Sequence, residues 1–337
     1  MALAGCNPTP TASSRHMQPL SPRMLAELDA KNMEKESPIL VRIFKEEAEL
    51  EVWKQDKTGQ FALLRTYPIC RWSGQLGPKI KQGDRQAPEG FYSITPGLMN
   101  PNSNYYLAIN TGFPNAYDRA NGRTGAFLMI HGDCSSSGCY AMTDEQIAEI
   151  YALAREAFSG GQKSFQVEAF PFRMTPLNIA RHRHSPHMAF WKTLKHGYDY
   201  FEVTRREPKV DVCEKNYVFN AESVAQFSST ERCPSFTAAE DIALAVRDKQ
   251  RRDDSQTAEF IRQGIPPAAV TTGIDGGMNP IFLAAVKSGG RGTAIRTSWG
   301  TVPAHVDPPA EPVETTTASF LSFASTDTMP RLSPERR

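Results

Sequence analysis

Residues 39–69 read ILVRIFKEEAELEVWKQDKTGQFALLRTYPI, three runs of apolar, β-branched and aromatic residues broken by Lys45-Glu46-Glu47 and by Lys57-Thr58-Gly59. Such runs with polar turns between them form the pattern of a β-meander, and they commit the chain early to a sheet. Gly74, Gly77, Pro78, Gly83, Pro88 and Gly90 then punctuate a long connection. Strand character returns at Phe91-Tyr92-Ser93-Ile94 and at Tyr105-Tyr106-Leu107-Ala108-Ile109. Phe127-Leu128-Met129-Ile130 is a further short apolar run, suited to a buried strand, and it delivers His131 at its end.

Beyond His131 the pattern passes through a loop into a helix. Thr143-Asp144-Glu145-Gln146 matches a capping box, in which the threonine hydroxyl takes an orphan N–H at a helix start. Ile147, Ile150, Tyr151, Ala154 and Phe158 recur at helical spacing, and Gly160-Gly161 ends the segment. Phe165 to Phe170 reads as another strand, and residues 186–202 as an amphipathic helix with Trp191 and Leu194 on its buried side. Ahead of the sheet, residues 7–36 begin as a Pro-, Ser- and Thr-rich tether and become helix-like from Pro22. After about residue 222 a charged, helix-like piece (237–264) leads into a Gly-, Pro-, Thr- and Ser-rich tail with little to bury.

The totals exclude several roles. With 38 basic and 37 acidic residues the formal charge is +1, so no electrostatic footprint points to nucleic acid or to an anionic membrane surface. No apolar run approaches the roughly 18 residues a spanning helix needs. Cys6, Cys70, Cys134, Cys139, Cys213 and Cys233 are too scattered for a dense disulfide scaffold and show no C-x-x-C spacing, so their pairing, including that of Cys213 with Cys233, stays open. Leu3-Ala4-Gly5-Cys6 resembles the lipobox at which bacterial lipoproteins are cut and lipidated, which makes Cys6 a candidate lipidation site. An accidental LAGC is the alternative, since the basic stretch and long apolar segment of a signal peptide do not precede it.

The densest chemistry lies in 129-MIHGDCSSSGCYAMTD-144. A thiolate nucleophile needs a base or cation beside it, backbone N–H groups aimed at the developing oxyanion, and room for a carbonyl to approach. His131 and Cys139 can supply the first pair, because a loop leaving one strand end can fold back to bring imidazole and sulfur together. Gly138 removes a side chain beside the sulfur and opens the N–H groups of residues 138 to 140 to a substrate carbonyl. Two other readings compete. One is a metal site from His131, Cys134 and Cys139 with His182, His184 or His187 as fourth ligand, although the second closely spaced ligand pair of structural zinc is missing. The other is two buried thiols in a turn.

Ile130-His131-Gly132 at the strand end, followed by Ser137-Gly138-Cys139, resembles the active-site signature of the L,D-transpeptidase family, the YkuD-type catalytic domain. The likeness is closest to its YafK-like branch, whose IHG-x-C-x-S-x-GCYAMTD pattern is nearly reproduced by Ile130 to Asp144. Gly83-Asp84 with Pro88-Glu89-Gly90-Phe91-Tyr92, and the stretch 105-YYLAINTGFPNAYDRANGRTG-125, are similar to segments of the same branch. The likeness covers roughly residues 38–205. It implies Cys139 as nucleophile, His131 as general base, and backbone donors around Gly138 and Tyr140; Cys134 has no assigned role. Where many members carry a second histidine two residues before the cysteine, this chain has Ser137.

The expected architecture is mainly β: a curved or barrel-like catalytic domain with peripheral helices (38–205). A tether and lead-in helix (1–37) precede it, and a partly helical accessory segment (206–284) and a low-complexity, disordered tail (285–337) follow. What the resemblance implies is a peptidoglycan-directed acyltransferase of the bacterial periplasm, possessing no metal or cofactor, with stem peptides as substrate and a lysine-bearing outer-membrane protein as a further candidate acceptor or substrate. Hydrolysis of the same thioester would make it an amidase that releases wall-linked lipoprotein or a terminal D-amino acid. A non-catalytic wall-binding lipoprotein is the reading of another class. Arg119 and Arg123 are candidate carboxylate binders, with a structural arginine pair as the alternative. Tyr106 and Ser137 are candidate substrate contacts, and both Tyr105 and Tyr106 are candidates to line the cleft, with the alternative that one of such a strand pair faces the core. The HRHSPH segment reads as a polar turn before the Phe190-Trp191 helix, with substrate contact as the alternative.

Overall fold

The computed structural model describes residues 12–269 and 276–287. Ser21 opens helix α1 (Pro22–Ala30) by accepting the Met24 N–H, and proline at the first position costs nothing because its missing N–H would be unpaired there. The meander follows as β1 (Ile39–Phe44), β2 (Glu49–Gln55) and β3 (Phe61–Pro68). Short strands come next: β4 (Arg71–Trp72), β5 (Gly90–Ile94), β6 (Met99–Asn100) and β7 (Ala108–Asn110). Helix α2 (Ala116–Ala120) precedes β8 (Met129–His131) and β9 (Tyr140–Ala141). Helix α3 (Asp144–Ser159) then leads to β10 (Phe165–Phe170), α4 (Pro176–Arg181) and α5 (Met188–Thr204). A hairpin of β11 (Val210–Cys213) and β12 (Asn216–Phe219), helix α6 (Glu240–Arg262) and α7 (Pro280–Lys287) complete the described chain.

Two five-stranded sheets carry the fold, in the orders β3-β2-β1-β10-β5 and β4-β9-β8-β7-β6. In the first, β1 pairs antiparallel with β2 and parallel with β10, so it is central and buried on both faces. Its odd positions, Ile39, Val41 and Ile43, enter the main core with α1, α3 and residues of the second sheet. The even positions face α5: Phe44 packs with Trp191 and Leu194, and Arg42 pairs with Glu202 at 2.7 Å and with Glu168 at 3.3 Å. The α3 capping box forms as read, with Thr143 accepting the Gln146 N–H and the Gln146 side chain accepting the Thr143 N–H.

Several expectations shift. The second apolar strand run starts later than its composition suggests: Tyr105 and Tyr106 precede β7, and Tyr106 stands at φ +69°, a left-handed turn rather than a strand. Phe127 likewise lies outside β8, at φ +58°. The accessory segment contains the β11–β12 hairpin besides helix, and its Cys213 and Cys233 form a disulfide. The tail boundary expected at 285 falls inside α7, and Phe282 is fully buried against Cys70, so a segment that looks poor in core residues contributes one. Residues 288–337, like Cys6, lie outside the described residues.

Candidate active site

Strands β8 and β9 run parallel, with Ile130 beside Tyr140 and His131 beside Ala141. Ile130 and Tyr140 point into the core and are fully buried. Alternation therefore sets Met129, His131, Cys139 and Ala141 on the opposite face. Extending the register by one residue puts Cys139 next to Met129, and the Met129 N–H does donate to Cys139 Sγ at 3.4 Å. Strand spacing and rise then separate the Cα atoms of His131 and Cys139 by roughly 8 Å, a diagonal that an imidazole and a thiol can bridge.

The ring of His131 is oriented from behind. Its Nδ1 lies 2.6 Å from the Gly132 carbonyl oxygen, which can only accept, so Nδ1 carries the proton and Nε2 is left as the basic nitrogen. Tyr105 covers the imidazole with ring centroids 4.7 Å apart. Burial holds His131 below the ordinary histidine value, partly offset by the bond to Gly132. Burial also raises the Cys139 thiol, against the opposing pull of the Met129 N–H and of the Lys79 charge. Both shifts favour a neutral resting pair, thiol and imidazole, over an ion pair. The thiol donates to the Phe127 carbonyl oxygen at 3.8 Å, and Phe127 itself is 76% exposed.

The approach to the nucleophile is braced from both ends. Gly138 adopts φ +123°, which L side chains rarely reach, so glycine is required for backbone reasons beyond the open approach. Cys134, in the middle of the loop from His131 to Cys139, forms a disulfide with Cys70, immediately before β4. That bridge removes a ligand from the His131, Cys134 and Cys139 metal reading. Across β9, β4 pairs Trp72 with Tyr140, which brings Ser73 opposite Cys139. The Gly138 N–H donates to Ser73 Oγ, and the Cys139 N–H donates to Ser136 Oγ at 3.1 Å. The N–H of Gly138, expected as an oxyanion donor, thus already has a hydroxyl partner.

The remaining expected residues separate into those near the thiol and those used elsewhere. Ser137 is exposed on the loop next to Gly138. Tyr140 is buried, its hydroxyl donating to the Pro88 carbonyl at 2.6 Å, so only its backbone faces the site strand. Arg123 is not available for a substrate carboxylate: it pairs with Asp118 at 2.9 Å and lies over the rings of Tyr117 and Phe190. Arg119 is exposed and donates to the Pro114 carbonyl of its own turn. Tyr106 is half-buried under the Arg15 guanidinium, and it is Tyr105 that touches His131. Sequence reasoning gave no part to Ser73, Ser136 or Phe127. Ser136 stood inside the motif as a visible signal, whereas Ser73 reaches Cys139 only through strand pairing.

A free thiol on the same sheet face as a tautomerically fixed imidazole defines a cysteine–histidine centre. The L,D-transpeptidase catalytic domain, YkuD, matches residues 39–168. YafK of Escherichia coli (strain K12), which carries the name of a candidate L,D-transpeptidase, is 54% identical over 183 residues, covering 54% of this chain and 74% of the relative. The chain belongs to the L,D-transpeptidase family, and so to the enzymes of peptidoglycan. Among solved structures, the helical cell shape determining protein Pgp2 of Campylobacter jejuni is 24% identical, with 47% of this chain and 57% of that chain covered and a TM-score of 0.33. Bd1075 of Bdellovibrio bacteriovorus is 14% identical, covering 60% and 94%, with a TM-score of 0.30. Likenesses at these TM-scores carry no mechanistic weight.

Proposed function

We propose that the protein is a murein L,D-transpeptidase in which Cys139 attacks the carbonyl at the L-centre of a diaminopimelate residue in a stem peptide. The observation that carries this reading is the His131 ring held by Gly132, which leaves Nε2 as a base on the face that bears the Cys139 thiol. His131 takes the thiol proton as the sulfur–carbon bond forms, and the carbonyl electron pair moves onto oxygen. Collapse of that adduct breaks the amide, and the proton passes from imidazolium to the departing amine of a D-amino acid. The product is a thioester on Cys139. An amine acceptor, from a second stem peptide or from a lysine of an outer-membrane protein, then attacks with His131 again as base, and the thiol is regenerated.

Residence in the periplasm accords with this chemistry and with two disulfides, Cys70–Cys134 and Cys213–Cys233, which persist in oxidising compartments. A lipid anchor at Cys6 belongs to the same proposal. The test is incubation of purified protein with tetrapeptide-bearing muropeptides, followed by intact mass and product separation. An acyl adduct lost in Cys139→Ala, together with new cross-links between diaminopimelate residues, is the expected result. Tripeptide muropeptides and free D-amino acid without cross-links would redirect the second half-reaction to water. Absence of any adduct on the wild type would remove the acyl-transfer reading altogether.

A further inference from the structure

Ser73 lies outside the motif that carries the thiol, 65 residues before Gly138, yet it is bonded to the two residues that set the thiol's backbone. The Gly138 N–H donates to Ser73 Oγ, and Ser73 Oγ lies 3.0 Å from Ser136 Oγ. Ser136 Oγ in turn donates to the Cys139 carbonyl at 2.7 Å and accepts the Cys139 N–H at 3.1 Å. A hydroxyl has one proton and two lone pairs. Ser136 has spent its proton on the Cys139 carbonyl, so the Ser73 hydroxyl is the donor between the two serines. Ser73 thereby accepts from Gly138 and donates to Ser136, and Ser136 donates once and accepts twice, which leaves every donor of the chain paired.

The anchor of this chain is rigid. The Ser73 carbonyl accepts the Ala87 N–H at 3.0 Å, and β4, one residue away, is paired to β9. Gly74 follows at φ +92°, where an added Cβ would sit 2.3 Å from Gln86 Oε1, so the turn that places Ser73 is fixed as well. Ser73 itself is buried. Its hydroxyl can therefore hold the peptide groups of Gly138 and Cys139 in one orientation relative to the sheet.

We propose that Ser73 is a positioning residue for acyl transfer, acting through Ser136 to fix the direction of the Gly138 and Cys139 N–H groups before the substrate carbonyl arrives. The proposal rests on the acyl-transfer reading of Cys139. An oxyanion forming on the carbon bonded to Sγ is a stronger acceptor than a neutral hydroxyl, and donors already aligned share or yield their bonds to it without reorganising. Ser73 touches no reacting atom. Its contribution belongs to the acylation step, not to the reactivity of the thiol itself.

That distinction supplies the test. Iodoacetamide alkylates a thiolate without generating an oxyanion, whereas a muropeptide donor or a carbapenem, whose strained amide acylates a thiol, passes through one. Ser73→Ala in the full chain is expected to lower acylation by both probes about 10- to 100-fold, while the iodoacetamide rate stays within about threefold of wild type; Ser73→Thr, which keeps the hydroxyl, is expected to recover most of the loss. Ser136→Ala, at a partly exposed position, is expected to show the same split and serves if Ser73→Ala does not fold. Acylation by Ser73→Ala at the wild-type rate, or a parallel loss of acylation and alkylation, would overturn the proposal. A wild type that alkylates but that neither donor acylates would overturn the acyl-transfer reading first, and this proposal with it.

Discussion

Opening the Cys70–Cys134 bridge with Cys70→Ala and Cys134→Ala together gives the sharpest separation of stability from function. Its two cysteines are 64 residues apart, and the chain-entropy relation for a closed loop of that size gives roughly 4 kcal/mol of stabilisation at room temperature. The Cys213–Cys233 bridge closes a separation of 20, for which the same relation gives roughly 3 kcal/mol. By stability alone the two double variants should look much alike in urea unfolding, each losing a few kcal/mol from a total of about 5–15. By function they should diverge. Cys134 pins the middle of the loop between the base and the nucleophile, and a displacement of about 1 Å there can cost on the order of 100-fold in rate. Cys213 and Cys233 lie on the accessory segment. Muropeptide acylation, followed by mass under conditions where both variants remain folded, should fall at least about tenfold for the first pair and less than about twofold for the second. Equal acylation in both variants would refute the idea that the bridge sets the loop geometry.

Three further outcomes follow from the same geometry. Phe127→Ala should raise KM for the acyl donor about tenfold by removing an apolar surface that the donor covers, with kcat nearly unchanged and stability altered by less than about 0.5 kcal/mol, because the ring is 76% exposed; an unchanged KM would contradict it. Since burial raises the Cys139 thiol above its ordinary value and lowers His131, alkylation of Cys139 should still be climbing at pH 9, and the acid limb of kcat/KM should fall below pH 6.5; alkylation that is flat down to pH 5 would indicate a preformed thiolate instead. Lys45→Met should destabilise by about 3–5 kcal/mol, because Lys45 Nζ bonds the carbonyls of Gln75, Gly77 and Ala87 and the Glu89 carboxylate, which would be left buried without its cation; a loss under 1 kcal/mol in urea would show the cluster to be dispensable.

Features written in local pattern were legible from residues alone. The meander of β1 to β3, the α3 capping box at Thr143 and the buried side of α5 at Trp191 and Leu194 each follow from periodicity or from a cap whose partners lie within four residues. The loop carrying His131 and Cys139 was legible because its residue types are dense and its motif is specific. What could not be read depends on distant pairing. Strands β4 and β9 have two residues each, too few to show a period, yet their pairing delivers Ser73 to Gly138 and Cys70 to Cys134. Tyr105 and Phe127 have strand-like composition but lie outside the strands, where Tyr105 meets His131 with its ring and Phe127 meets Cys139 with its backbone carbonyl. Arg123 stayed open between a carboxylate binder and a structural arginine for a related reason: its partner Asp118 is near in sequence, but the rings that bury it come partly from α5.

The docking of residues 276–287 bears on how the protein can be cut down. Trp72 and Gly277 exchange both of their backbone hydrogen bonds, at 3.0 and 3.2 Å, and the Asn279 N–H reaches the Ile69 carbonyl at 3.1 Å, so this segment occupies the outer side of β4. A shortened version ending at the α6 terminus would keep every residue of the family match but leave β4 as a raw margin, with its amide and carbonyl of Trp72 open to a neighbouring molecule. Minimal versions intended for crystallisation or labelling should therefore stop after Lys287 and not at Arg262, or they will tend to stick to one another along the very ribbon that steadies the nucleophile.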